Sequence, residues 1–313
     1  MRTVMPDSLV ATAAPDQDRA PAHASEGRRR ALGIAYVVAS GLCFGSMPLF
    51  ARRAAADGVD TATLLLLRFS FAGAFMWSLA LARGVVVPRG RALAMLAAMG
   101  AVGYAGQAFC YFASLRLASA GLVALLLYLY PALVALLARV VFGHRLTPVQ
   151  LGAVALALAG SVLTVGRAGD GQPLGIFLAV LAAVIYSAYI LTGSRLPPGV
   201  TPTACTAVVT TSAALVYAAV VAVRGAHLPA TPGGWAAAVG IALVGTVFAI
   251  GFFLAGLERV GAVRASVYSS VEPVFTLGLA AVFLGEAVTP LRVAGGALII
   301  LAVILLARAD GRT

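Results

Sequence analysis

Tyr128-Leu129-Tyr130-Pro131, followed by Gly143 and by Thr147-Pro148, returns later in the chain as Ser270-Val271-Glu272-Pro273, followed by Gly285 and by Thr289-Pro290. The displacement is 142 positions at each landmark, from Pro131 to Pro273, Gly143 to Gly285 and Pro148 to Pro290. Leu32-Gly33-Ile34 and Leu174-Gly175-Ile176, Thr61-Ala62 and Thr203-Ala204, and Gly103 and Gly245 keep the same step. A chance alignment of Ala and Leu would not bring prolines and glycines into register, so the chain is an internal duplication.

Around these landmarks the chain is apolar. Hydrophobic residues make up 61% and charged residues 11% of its 313 residues, and the mean hydropathy is +1.00. Soluble domains have about 45 to 50% and about 25% respectively, so soluble enzymes and DNA-binding modules are excluded. Apolar runs of roughly 20 residues are long enough to cross about 30 Å of hydrocarbon. Reading runs and breakers together predicts ten membrane helices near 32–51, 61–82, 92–113, 118–141, 148–166, 174–192, 203–223, 234–256, 262–284 and 290–307. Pro148 and Pro290 fit a first helical turn, and Val87-Pro88-Arg89-Gly90, Ala168-Gly169-Asp170-Gly171 and Leu196-Pro197-Pro198-Gly199 fit turns. Strand alternation is absent, which excludes a barrel.

Each half holds five of these spans. An odd number places the start of the second half on the opposite side of the membrane from the first, so the repeats are inverted. The expected domains are a disordered cytoplasmic tail over 1–30, a first repeat over 31–167 and a second over 173–308. The tail lacks the apolar stretch of a signal peptide. The formal charge of +11 comes from Arg alone, and most of it lies in loops. The tail, Arg83, Arg89, Arg91, Arg139, Arg145, Arg195, Arg259, Arg308 and Arg312 fall on one side; Arg52, Arg53, Arg116, Arg167 and Arg224 fall on the other. The richer side is cytoplasmic, so both termini are expected inside, in a bacterial-type inner membrane. The basic balance reports orientation and not a nucleic-acid partner.

The chain resembles the EamA proteins of the drug/metabolite transporter superfamily over about residues 32–307. Pro131 followed by Gly143-His144-Arg145-Leu146-Thr147, and Glu272-Pro273 followed by Gly285-Glu286, carry the resemblance. His144 stands where that family usually has Glu. The resemblance implies two five-helix repeats, cytoplasmic termini and a path enclosed by spans one, three, four, six, eight and nine. An aromatic residue before Pro131 also resembles the aromatic amino-acid exporters of the family.

Charge buried in hydrocarbon is costly and marks function. Among the acids only Glu272 falls mid-span, about 15 Å from its cytoplasmic end. Pro273 cannot donate a backbone hydrogen bond, so the carbonyl of Ser269 lacks its helical partner, and Ser266, Ser269 and Ser270 add hydroxyls. Glu272 therefore reads either as a contact for a cationic or amino group and a proton acceptor, or as a structural carboxylate at the kink. Arg68, about 10 Å from the outer end of its span, could hold a substrate carboxylate or pair with Glu272, but its depth favours snorkelling outward. Tyr128 and Tyr130 make an aromatic kink at Pro131 opposite the acidic one at Pro273, suited to amphipathic or aromatic substrates. Tyr104, Gln107 and Tyr111 in the third span, Tyr186, Ser187 and Tyr189 in the sixth, and Thr246, Phe252 and Phe253 in the eighth are further polar or aromatic residues at depth. The candidate substrate site is thus Arg68, Tyr104, Gln107, Tyr128, Tyr130, Tyr186, Tyr189, Ser269 and Glu272, with Pro131 and Pro273 as gating kinks.

Spans five and ten carry small glycines with scattered Ser161, Thr164 and Arg292, which places them outside the cavity against lipid or a second copy in a homodimer. Cys43, Cys110 and Cys205 lie inside apolar runs without CxxC spacing, so no disulfide framework, metal or other cofactor is expected. His144 and His227 have no partner set of catalytic spacing, and no filter motif is present, so an enzyme and a channel are disfavoured. The expectation is a transporter of small amphipathic metabolites, amino acids including aromatic ones, working by rocking of the two halves. The alternatives are a proton-coupled exporter of organic cations and a structural membrane subunit.

Overall fold

The computed structural model describes residues 19–142, 146–165, 171–197, 199–261, 265 and 268–310. The first 18 residues, Gly143-His144-Arg145, Arg167 with the Ala168-Gly169-Asp170 turn, Pro198, Ser266 and Arg312 lie outside them. The described secondary structure is helical apart from one isolated bridge between Ala118 and Gly171. In chain order the helices are α1 (Arg19–Gly45), α2 (Met47–Ala56), α3 (Thr61–Ala82), α4 (Arg91–Ala98), α5 (Ala105–Ser114), α6 (Ala120–Leu127), α7 (Tyr130–Phe142), α8 (Pro148–Val165), α9 (Pro173–Gly193), α10 (Pro202–Arg224), α11 (Pro232–Ala242), α12 (Ala249–Val260), α13 (Glu272–Leu284) and α14 (Pro290–Asp310). Helix starts follow their chemistry. Asp60, Thr201 and Thr231 accept hydrogen bonds from the amides of Thr63, Ala204 and Gly234, and proline occupies the first turn of α9, α10 and α11.

Among the described residues, eight helical stretches have the length and apolarity to cross a membrane: Gly27–Ala56, Thr61–Ala82, Arg91–Ser114, Ala120–Val141, Pro173–Gly193, Pro202–Arg224, Pro232–Val260 and Pro290–Ala309. The apolar helices Pro148–Thr164 and Glu272–Leu284 are shorter. Several boundaries differ from the sequence reading. Helix α1 runs back to Arg19, so residues 19–30 are helical rather than irregular. The first span breaks at Ser46, ahead of Pro48 in the first turn of α2. The third and eighth contain π-helical segments, Met99–Tyr104 and Leu243–Phe248.

The duplication is visible in the packing. Helix α3 packs on α10 and α8 on α14, each pair joining corresponding parts of the two repeats, and α6 packs on α13 across the halves; α1 packs on α12 and, reciprocally, α9 packs on α5. Gly33 faces Arg259 and Val260, and Gly175 faces Leu117 and Ala118, the same three positions with the halves exchanged. In both places an added Cβ would stand under 3 Å from a neighbouring side chain, which only glycine tolerates. Reciprocal contacts of this kind are the mark of a twofold relation.

Helices α8 and α14 are partners of each other. Gly160 and Gly295 meet backbone to backbone, so the small-residue face that suggested lipid or a second copy is consumed inside the chain. Their outer faces remain apolar and exposed at Val162, Leu291 and Val293.

Candidate functional site

The carbonyl of Ser269 would bond the amide of residue 273 in a continuous helix, and Pro273 has no N–H to give. Helix α13 accordingly starts afresh at Glu272, and α6 stops at Leu127, before α7 restarts at Tyr130-Pro131. The two breaks face each other. The Tyr128 hydroxyl, from the first break, lies 2.8 Å from the Ser269 carbonyl oxygen and 2.8 Å from Glu272 Oε2 in the second. It supplies the donor that proline removes, and Ser269 spends its own hydroxyl on the Ala265 carbonyl.

Around this junction, between the halves, lies a cavity of about 260 Å³. From the first half it is lined by Ser40, Gly41, Phe44, Met47, Arg68, Tyr104, Gln107, Tyr111, Phe112, Leu127, Tyr128 and Tyr130; from the second by Tyr186, Ile250, Phe253, Ser269 and Glu272. Tyrosine rings pave one wall. Tyr130 meets Tyr128 and Tyr186 edge-on at 5.8 and 5.0 Å, and Tyr104 stacks on Tyr189 at 5.7 Å. Apolar faces with polar rims of this sort hold amphipathic molecules.

Arg68 does not snorkel. It is 3% exposed, its Nε donates to Thr246 Oγ1 at 2.9 Å and its Nη2 to the Tyr104 hydroxyl at 3.3 Å. The Phe69 and Phe112 rings lie 5.2 Å from the guanidinium carbon. These partners outcompete the interface because a charge gripped by hydroxyls and aromatic faces needs no water. Arg68 and Glu272 share the cavity without forming an ion pair.

The structure therefore brings Arg68, Tyr104, Gln107, Tyr128, Tyr130, Tyr186, Ser269 and Glu272 onto one cavity, with Pro131 and Pro273 at its two helix breaks. Tyr189 is outside the lining, behind Tyr104 and Tyr186. The second span joins the wall through Arg68, beyond the six spans expected. Ser40, Phe44 and Met47 were not singled out from sequence; their helical spacing, with Gly41, was the available signal. Phe112, Leu127 and Ile250 carried none, since each reads as an ordinary apolar position.

At the end of the molecule where the loops after α2, α5, α10 and α13 gather, the halves are tied together. Glu286 accepts from the amides of Ala120 and Gly121 at 2.6 and 3.0 Å, at the N-terminus of α6, and stands 4.0 Å from Arg52. Asp57 accepts from the Thr231 amide at 3.0 Å, and the Asp60 carboxylate lies 3.0 Å from His227. Hydrogen bonds from the Thr231 amide and hydroxyl hold the Asp57 carboxyl below the usual carboxylate range. Burial pushes Asp60 up, but the Thr63 amide and hydroxyl together with His227 outweigh it, and its carboxyl also sits below that range.

Residues 31–166 and 173–308 each match the EamA-like transporter family. The chain belongs to that family. This EamA protein is 30% identical over 268 residues to a probable terminal-alkyne amino-acid exporter of Streptantibioticus cattleyicolor, covering 82% of this chain and 87% of that protein. It is 32% identical over 138 residues to the aromatic amino acid exporter YddG of Ancylobacter novellus, a match spanning 42% of this chain and 48% of that exporter. A solved crystal structure shares the fold at a TM-score of 0.63 and 24% identity, over 90% of this chain and 98% of the other. The EamA chain is thus a multi-pass membrane transporter and not an enzyme, and its central cavity is the candidate substrate site.

Proposed function

We propose that this chain exports amino acids, aromatic ones among them, across the inner membrane by alternating access. In this reading α8 and α13 join the eight longer spans to make ten membrane helices in two inverted five-helix repeats, the excess of Arg on one side supports cytoplasmic termini, and the cavity between the repeats is the fixed site around which they rock. The observation that carries the reading is the meeting of the two helix breaks, where Tyr128 and Glu272 join across the halves beside a tyrosine wall. Glu272 contacts the ammonium group of the substrate. Tyr104, Tyr128, Tyr130 and Tyr186 face its side chain, Gln107 adds a polar contact, and Tyr189 backs the wall. Ser269 keeps its carbonyl at the break, and Pro131 and Pro273 let the broken helices bend. The relatives named for amino-acid export support this substrate class.

Transport by facilitated exchange is the simpler energetics, since among the described residues no second acid lines the cavity. One observation favours a proton-coupled second reading, with organic cations as its substrates. The single hydroxyl hydrogen of Tyr128 faces two acceptors at equal distance, so all three groups are satisfied together only when Glu272 carries a proton and donates it to Tyr128. The test is uptake of labelled amino acids and organic cations by proteoliposomes, with and without an imposed pH gradient, for wild type and Glu272→Gln. Gradient-independent uptake of phenylalanine or leucine, lost in Glu272→Gln, is expected. Uptake of cations alone, driven by a gradient and lost in the variant, would overturn the amino-acid reading in favour of the proton-coupled one.

A further inference from the structure

Tyr104 and Thr246 are 142 residues apart and so occupy the same position of the two repeats. Both hold the Arg68 guanidinium, one from each half. A group gripped by two equivalent positions lies beside the axis that relates them. A second reciprocal contact marks the same axis: Met47 packs on Gly245, and its counterpart Tyr189 packs on Gly103.

Arg68 itself breaks the symmetry. Its counterpart is Thr210, whose hydroxyl bonds back to the Thr206 carbonyl of its own helix at 2.7 Å. The second repeat folds the same helix without a buried charge, so packing of α3 on α10 does not demand one. Of the five guanidinium N–H groups two are used by Thr246 and Tyr104, and three remain on the side chain that lines the cavity. Among the described residues no carboxylate forms an ion pair with it. A desolvated cation retained without a counterion inside a membrane protein is a site for an anionic group.

We propose that Arg68 holds the carboxylate of the transported molecule, and that its place at the twofold axis keeps this contact in both the inward-open and the outward-open state. The assignment rests on the amino-acid reading for the ammonium end of the substrate, which Glu272 takes, but not for the carboxylate end. Among the described residues Arg68 is the one cation that shares the cavity lining with Glu272, which suits a monoanion or a zwitterion; a phosphate dianion would meet this guanidinium and a repelling carboxylate. Exchange of the halves carries the positions of Tyr104 and Thr246 into each other, so the guanidinium stays beside the axis while the openings alternate.

The test is binding of three probes of one shape to the purified full chain: phenylalanine, 3-phenylpropionate, which lacks the ammonium, and phenethylamine, which lacks the carboxylate. Wild type, Arg68→Gln and Arg68→Lys are compared. The expected result is that Arg68→Gln weakens phenylalanine and 3-phenylpropionate by at least about tenfold while phenethylamine changes by less than about twofold. Arg68→Lys, which keeps the charge but not the planar fork, recovers part of the loss and separates ligand loss from misfolding. Phenethylamine binding wild type as tightly as phenylalanine, or both variants binding phenylalanine within about twofold of wild type, would overturn the assignment. Binding of 3-phenylpropionate without phenylalanine would uphold Arg68 and remove the amino-acid reading. Binding of phenethylamine alone would remove both.

Discussion

The Tyr128 hydroxyl replaces the hydrogen-bond donor that Pro273 takes away from Ser269, and in the same position it touches Glu272, all at 2.8 Å. One hydroxyl from the first repeat thus stabilises the helix break of the second and orients the acid beside it, Glu272. Tyr128→Phe keeps the ring and removes the donor, leaving the Ser269 carbonyl and the Glu272 carboxyl without it. A loss of about 1 to 3 kcal/mol is expected for a buried acceptor left unsatisfied. Denaturant or thermal unfolding of the purified protein checks it, and an unchanged midpoint would mean that water or another side chain serves the break.

Much of this was legible in the sequence because it rests on covalent chemistry. Pro131 and Pro273 remove donors wherever they stand, and the 142-residue step puts the two breaks at matching depth. Arg68 was misread because its depth along α3 was visible but its rotation was not. That rotation is set by Thr246, 178 residues away, and by Tyr104, neither of which has any local relation to it. The π-helical segments Met99–Tyr104 and Leu243–Phe248 were equally hidden, since one extra residue in a turn leaves no hydrophobic period to read. The pairing of α8 with α14 needed the fold, because glycines at Gly160 and Gly295 announce a close approach without naming the partner.

Glu286 ties the second repeat to the first at two amides of α6, a carboxylate at a helix N-terminus. The nearby Arg52 is half exposed and 4.0 Å away, so the amides and not the ion pair carry the contact. Glu286→Ala is expected to cost about 1 to 3 kcal/mol, and Arg52→Gln, which keeps a donor for the Ala118 carbonyl that Arg52 bonds at 2.7 Å while removing the charge, about 0 to 1 kcal/mol. Equal losses from the two variants, measured by unfolding, would contradict this ranking.

At Gly160 an added Cβ would stand 2.7 Å from the Gly295 carbonyl oxygen, with Ile299 and Leu298 at 3.0 Å beyond it. Gly160→Leu is therefore expected to force α8 and α14 apart and destabilise the fold by about 1 to 3 kcal/mol. Gly152, in the same helix with open space around it, is the control. Gly152→Leu should leave the unfolding midpoint nearly unchanged, and a like effect at both positions would sink the proposal of a close seam at Gly160.

Asp57 joins the loop after α2 to the loop after α10 through Thr231, and the bonded carboxyl is held below the usual range. A carboxyl lowered in the folded protein stabilises the fold when ionised. That contribution is fully present above the unfolded value, about 3.9, and is lost as the pH falls through the lower folded value. Asp60 beside His227 shifts in the same direction, so it is kept intact while Asp57 alone is replaced. The expected outcome is a stability advantage of wild type over Asp57→Asn that is constant between about pH 5 and 8 and shrinks below about pH 4. Unfolding midpoints measured across that range check the sign; an advantage that grew on acidification would mean that the neutral carboxyl makes the better contact with Thr231.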